Sequence, residues 1–134
     1  MHGPAEPLSI LLVEDDRATA DMYATALRRD GHTVHVAGDG WCGLRKAQQH
    51  VPDLLLLDVH LPGLDGLSVL SLLRQHGDTS SPPAIMLSNE TSPEVLRRSV
   101  ELGAVAHLVK CETTPAELCS VVRACRTGSA IQFR

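Results

Sequence analysis

Short apolar runs separated by turn residues recur along the chain, and they predict five buried or half-buried β-strands. The predicted strands are residues 8–13, 33–37, 53–57, 84–87 and 105–109. Apolar and polar residues alternate strictly only in 33–37, as expected of a half-buried or edge strand. The other runs are nearly continuous in aliphatic side chains, which favours strands buried on both faces.

The segments between these strands have the apolar spacing of amphipathic helices. Helices are predicted at about residues 17–29, 41–50, 67–76, 93–102 and 115–126. In the first helix, the predicted apolar face consists of Met22, Tyr23, Ala26 and Leu27. Ser92 before Pro93 and Thr114 before Pro115 are typical N-caps of the last two helices. Strands alternating with helices, without an internal repeat, predict an α/β fold with one parallel sheet covered by helices on both faces.

The length of 134 residues leaves room for one domain. We predict a flexible N-terminal tail at residues 1–7, a single domain at 8–126 and a C-terminal tail at 127–134. Hydrophobic residues make up 43% of the chain but aromatic ones only 2%, so the predicted core is aliphatic.

Charge and composition exclude several classes of function. The formal net charge of -4, without a basic stripe, disfavours direct DNA binding. No apolar run approaches the roughly 20 residues that span a bilayer, and the N-terminus lacks the features of a signal peptide. The four cysteines have neither disulfide-framework nor zinc-site spacing, which indicates a reducing compartment. We therefore expect a cytoplasmic protein without membrane contact.

Polar side chains follow four of the predicted strands at the point where each strand ends. They are Glu14 and Asp15 after the first, Asp58 after the third, Ser88 after the fourth and Lys110 after the fifth. Because the carboxyl ends of parallel strands share one edge of the sheet, these groups are expected to meet there, where open α/β sheets bind ligands.

The expected cluster has the chemistry of phosphoryl transfer. Three crowded carboxylates repel one another unless a cation lies between them, and oxygen ligands suit Mg²⁺ or Mn²⁺. One acid is then available as a nucleophile, while Lys110 and Ser88 provide a positive charge and a hydroxyl for phosphoryl oxygens. Positioning and charge neutralisation are most of what such a reaction requires.

With these residues in this order and spacing, the chain resembles the receiver domains of two-component response regulators over about residues 8–126. The resemblance implies a flavodoxin-like three-layer sandwich with strand order 2-1-3-4-5. It also implies that the domain is not an enzyme in the usual sense, because Asp58 accepts a phosphoryl group and assists its own phosphorylation and dephosphorylation.

The resemblance further implies a role for each site residue. Asp15 and Asp58 would bind the metal directly, Glu14 through water and His60 through its backbone carbonyl. Ser88, Lys110 and Asn89 would stabilise the phosphoryl group, and Ser88 and His107 would act as the switch.

The implied partners are proteins. A sensor histidine kinase or a phosphotransfer protein would donate the phosphoryl group, and a downstream protein would bind the surface formed by the fourth helix, fifth strand and fifth helix. The domain would be a monomer or weak homodimer, either free-standing or part of a longer protein.

Three residues depart from the pattern of receiver domains. Cys111 stands where proline usually follows the lysine, His107 where an aromatic switch residue is usual, and Asn89 where a small residue follows the hydroxyl. Without proline, a cis bond before residue 111 would cost roughly 2.5 to 4 kcal/mol, so a trans Lys110–Cys111 bond is predicted. The loop at 110–113 should then differ from its usual course. A histidine at 107 would also make partner binding depend on pH.

Two other functions and two other site chemistries share single features with this sequence. An aspartate-nucleophile phosphatase of the haloacid dehalogenase type resembles an Asp-x-Asp pattern, but His60 occupies the second position. A pseudo-receiver that binds partners without phosphorylation typically lacks one of the acids or the lysine. The acids and the lysine are all present here, but the missing proline at position 111 keeps this alternative open. A redox role of Cys111 beside Lys110 is opposed by the nearby carboxylates. The seven histidines have no recognisable metal-ligand spacing.

Overall fold

A computed structural model describes residues 7–90 and 92–126 of the chain. Its strands are β1 (Ser9–Val13), β2 (Thr33–Ala37), β3 (Leu54–Asp58), β4 (Ala84–Ser88) and β5 (Ala104–Val109). Its helices are α1 (Arg17–Arg29), α2 (Gly40–Gln49), α3 (Gly66–Arg74), α4 (Pro93–Glu101) and α5 (Pro115–Arg126). Short 3-10 turns lie at Gly77–Thr79 and Lys110–Glu112. Residues 1–6 of the predicted N-terminal tail and the whole predicted C-terminal tail lie outside the described residues.

The five strands form one parallel sheet in the order β2-β1-β3-β4-β5, which confirms the predicted flavodoxin-like fold. Side chains alternate between two aliphatic cores, one on each face of the sheet. Leu12 and Leu56 point into the core that α1 and α5 cover. Leu55 and Leu57 point into the core beneath α2, α3 and α4. The central strand β3 is therefore buried on both faces, as its unbroken leucine run predicts.

The predicted apolar face of α1 is wrong at Met22, whose side chain is 45% exposed. The buried residues of α1 are Ala20, Tyr23, Ala24 and Leu27. These four positions follow the i, i+3, i+4, i+7 spacing of a single stripe, and Met22 lies about 100° away from Tyr23 around the helix. Choosing the residues by hydrophobicity alone puts Met22 on the buried face of α1, whereas the complete helical spacing identifies that face correctly.

Side-chain caps set the starts of the helices that follow the functional edge. Asp16 accepts a hydrogen bond from the Thr19 backbone N–H at 3.0 Å, so it caps α1. Ser92 caps α4 and Thr114 caps α5, in the predicted positions ahead of Pro93 and Pro115. Across residues 7–90 and 92–126, no helix is long and apolar enough to cross a membrane.

Candidate functional site

The carboxyl edge of the sheet brings the predicted acids together. Glu14 and Asp15 follow β1 directly, and Asp58 is the last residue of the neighbouring strand β3. Carboxylate oxygens of these three residues lie within 4.8 Å of one another. Glu14 is 2% exposed and Asp58 4%, whereas Asp15 is open to solvent. Two of the three carboxylates, those of Glu14 and Asp58, are therefore buried, and the third is accessible.

The β3–α3 loop turns sharply at Gly66, close to the end of β3. A Cβ atom at Gly66 would lie 1.9 Å from the backbone oxygen of Asp58, so no other residue fits there without a backbone shift. The Gly66 N–H donates to the Val59 carbonyl at 2.9 Å, and Asp65 caps α3. This tight turn fixes the backbone of Asp58 from the loop side.

Lys110 supplies the positive charge at the centre of the site. Its Nζ donates to Glu14 Oε1 at 2.6 Å and to Asp58 Oδ2 at 2.8 Å. Although burial lowers it, the pKa of Lys110 is raised to about 12 by the hydrogen bonds to Asp58 and Glu14. Burial raises the pKa of Glu14, and the hydrogen bond from Lys110 offsets part of that effect. Lys110 is thus a permanent cation shared by two buried acids.

The remaining carboxylate oxygens are held by the backbone. Glu14 Oε2 accepts from the Asp16 N–H at 3.0 Å, and Asp58 Oδ1 accepts from the His60 N–H at 3.1 Å. These bonds orient both carboxylates without removing their charge.

The three-carboxylate cluster fits a hard divalent cation. It offers only oxygen ligands, they lie close enough together to share one ion, and Mg²⁺ typically takes one or two carboxylates while keeping several waters. The cluster already binds one cationic group in Lys110, which reflects the excess of negative charge.

Ser88 ends β4 beside Asp58, in the register predicted from the strand ends. Asp58 pairs with Leu87, so Ser88 lies one residue further along the neighbouring strand. Ser88 is fully buried, and its hydroxyl accepts from the Glu90 backbone N–H at 2.9 Å. Asn89 is exposed, and its Oδ1 accepts from the Cys111 N–H at 2.9 Å.

One pair of residues near the site was missed by sequence reasoning. His60 Nε2 lies 3.1 Å from Glu90 Oε2, and the pair joins the β3–α3 loop to the β4–α4 loop. A signal for it exists in the sequence. His60 stands two residues after Asp58 and Glu90 two residues after Ser88, so equal offsets from two adjacent strand ends place them side by side.

His107 lies within β5, opposite Met86 of β4, and is fully buried. Neither ring nitrogen has a hydrogen-bond partner among the described residues. Burial lowers the pKa of His107 from its ordinary value of 6.5. No peptide bond in the described part of the chain is cis, so the predicted trans bond between Lys110 and Cys111 is confirmed.

Comparison with known proteins agrees with this geometry. Residues 10–123 match the response regulator receiver domain family. The chain is 41% identical over 111 residues to the gliding motility regulatory protein of Myxococcus xanthus, covering 81% of this chain and 14% of that protein. It is 37% identical over 115 residues to the DNA-binding response regulator MtrA of Mycobacterium tuberculosis, covering 86% of this chain and 49% of MtrA. Among solved structures, the chemotaxis response regulator CheY4 of Vibrio cholerae matches with a TM-score of 0.81 and 30% identity, over 87% of this chain and 97% of CheY4.

The chain spans about half the length of MtrA and a smaller share of the gliding motility protein, and the shared region is the receiver domain. The family match covers most of the chain, and the strand order and acidic cluster agree with it. This chain belongs to the response regulator receiver domains of two-component signalling systems.

Proposed function

We propose that this domain accepts a phosphoryl group on Asp58 from a phosphohistidine of a sensor histidine kinase or a phosphotransfer protein. The observation that carries the proposal is the position of the Asp58 carboxylate. It lies at the end of the central strand, 2.8 Å from Lys110 Nζ and within 4.8 Å of the Glu14 and Asp15 oxygens.

In the proposed reaction, an Asp58 carboxylate oxygen forms the new O–P bond while the N–P bond of the donor imidazole breaks. The imidazole nitrogen keeps the electron pair and takes up a proton. Lys110 then exchanges its contact with Asp58 for one with a phosphoryl oxygen, and the Ser88 hydroxyl binds another. Hydrolysis reverses the state when water attacks phosphorus and the O–P bond to Asp58 breaks.

Asp15 and Asp58 would hold Mg²⁺ or Mn²⁺ directly, with Glu14 through water and the His60 carbonyl as a further ligand. The bound ion would neutralise phosphoryl oxygens as their charge develops. Asn89 contributes to phosphoryl stabilisation through the loop it holds, since its side-chain oxygen is engaged with Cys111.

A downstream protein would recognise the phosphorylated domain through the surface of α4, β5 and α5. Movement of Ser88 toward the phosphoryl group would open space beneath α4 for His107, so these two residues form the proposed switch. The partner is a protein, in keeping with the net charge of -4. We propose a cytoplasmic monomer or weak homodimer whose described residues do not bind DNA directly.

Intact-mass measurement after treatment with acetyl phosphate tests this function. The wild type should gain one phosphoryl group when Mg²⁺ is present and none in excess chelator. Asp58→Asn should remain unlabelled while keeping its fold, because the amide has nearly the shape of the carboxylate. Asp21→Asn, which alters an exposed aspartate on α1, is the matched control and should be labelled like the wild type.

Circular dichroism of Asp58→Asn separates loss of the acceptor from loss of the fold. Labelling of a folded Asp58→Asn protein, or full labelling in chelator, would show that Asp58 or the metal requirement has been assigned wrongly.

A further inference from the structure

The 3-10 turn that carries Lys110 has little packing to hold it in place. None of its residues, Lys110 to Glu112, is buried, and Thr113 after it is only half-buried. Lysine has a long flexible side chain that ends in a point charge, so the location of its backbone decides where the ammonium can reach. Hydrogen bonds must therefore hold this turn.

One hydrogen bond joins the turn to the β4–α4 loop. The Cys111 N–H donates to Asn89 Oδ1 at 2.9 Å, across 22 positions of sequence. Ser88 and Asn89 are consecutive, as are Lys110 and Cys111. The bond between Asn89 and Cys111 therefore fixes the separation of the residues before them. Those residues are Ser88 and Lys110, which lie beside Asp58.

A second hydrogen bond joins the other end of the turn to α1. The Tyr23 hydroxyl donates to the Thr113 carbonyl at 3.0 Å. Tyr23 is almost fully buried in the core beneath α1, so its hydroxyl is a rigid anchor. Within the turn, Thr113 Oγ1 donates to the Val109 carbonyl at 2.8 Å, which closes the segment internally.

We propose that Asn89 and Tyr23 are positioning residues that hold this turn and so present Lys110 to Asp58. The proposal rests on the proposed function, in which Asp58 is the phosphoacceptor. Proline at position 111 would have no N–H to donate. In this chain Cys111 has that donor and Asn89 supplies its acceptor, so the two departures from the receiver pattern form one contact.

The structural part is tested by the hydrogen exchange of the Cys111 amide in ¹⁵N NMR spectra, which requires no phosphorylation. The amide should be protected in the wild type and exchange faster in Asn89→Ala. Asn89→Asp keeps an acceptor oxygen at the same position and should restore protection. Equal exchange in the wild type and Asn89→Ala would overturn the proposed contact.

The functional part is tested by initial rates of labelling with acetyl phosphate. Loss of one net hydrogen bond corresponds to roughly a two- to tenfold change in rate, so Asn89→Ala and Tyr23→Phe should each be slower by about that factor. Cys111→Pro removes the donor of the same bond, so the double variant with Asn89→Ala should be no slower than the slower single variant. Glu112→Gln alters an exposed side chain of the same turn and should label at the wild-type rate.

A cycle with Lys110→Met shows whether Asn89 acts through Lys110. Asn89→Ala should have no further effect in the Lys110→Met background, whereas a general loss of structure would slow both backgrounds equally. Wild-type rates for Asn89→Ala, or rate losses that multiply in either double variant, would overturn the role of Asn89. Absence of labelling in the wild type would instead reject the proposed function and leave the exchange result standing.

Discussion

The buried imidazole of His107 leads to a stability prediction that is independent of phosphorylation. The ring is fully buried, and neither nitrogen has a hydrogen-bond partner among the described residues. A buried polar group left unsatisfied costs roughly 1 to 3 kcal/mol. His107→Leu removes that group at similar volume, so the free energy of unfolding should rise by about 1 to 3 kcal/mol at neutral pH.

The same variant should change how stability depends on pH. Burial lowers the pKa of His107 in the folded state below 6.5, so the unfolded chain takes up a proton at higher pH than the folded one. This contribution to stability is complete above 6.5 and is lost as the pH falls below it, until the folded-state pKa is reached. For one proton the slope is at most about 1.4 kcal/mol per pH unit.

Urea unfolding followed by far-UV circular dichroism, at several values between about pH 5 and pH 8, measures both effects. His107→Gln is the matched control, because it keeps a buried polar side chain that cannot titrate. It should lose the pH slope due to His107 without the gain in stability at neutral pH. His76→Gln removes an exposed histidine and should keep the wild-type profile. If His107→Leu is no more stable than the wild type and keeps the same slope below pH 6.5, the imidazole does not carry the cost assigned to it.

Three further predictions concern the site and the β4–β5 side of the sheet. Asp15→Asn should weaken Mg²⁺ binding, measured by metal titration of the fluorescence of Trp41, the single tryptophan. It should also slow labelling of Asp58, measured by intact mass. Lys110→Met leaves two buried carboxylates without their cation, so the free energy of unfolding should fall by about 3 kcal/mol, near the low end for a broken buried pair; added Mg²⁺ should raise the melting temperature of this variant more than that of the wild type. Arg74 donates to the carbonyls of Leu102, Ser80 and Pro82. A lysine ammonium cannot reproduce the planar guanidinium geometry, so Arg74→Lys should lower the free energy of unfolding by about 1 to 3 kcal/mol, measured by thermal unfolding.

The fold was predictable because the helical and strand patterns are strong and agree with each other. Continuous aliphatic runs such as 54–57 identify strands buried on both faces, and parallel pairing then follows from their alternation with helices. The predicted β3 ends one residue early, at Leu57. Asp58 instead completes the strand, pairing with Leu87 of β4.

The central contacts of the site were predictable for a related reason. Strand ends in a parallel sheet have fixed relative positions, so the spacing of Glu14, Asp58 and Lys110 in sequence translates directly into proximity. Contacts between loops are less constrained. Equal offsets from adjacent strand ends indicate the His60–Glu90 pair, whereas the bond from Cys111 to Asn89 depends on backbone directions beyond the strand ends, which local sequence does not specify.

The three departures from the receiver pattern lie in the β4–α4 loop, on β5 and in the turn that follows β5, and they differ in their physical consequences. Asn89 and Cys111 compensate each other, because the larger side chain supplies the acceptor that the additional N–H needs. His107 has no such compensation, since β5 is covered on both faces and offers its ring no partner among the described residues. Natural chains tend to break local rules at functional sites. Among the three departures, His107, on a strand of the proposed output surface, is therefore the one that leaves a buried polar group without a hydrogen-bond partner among the described residues.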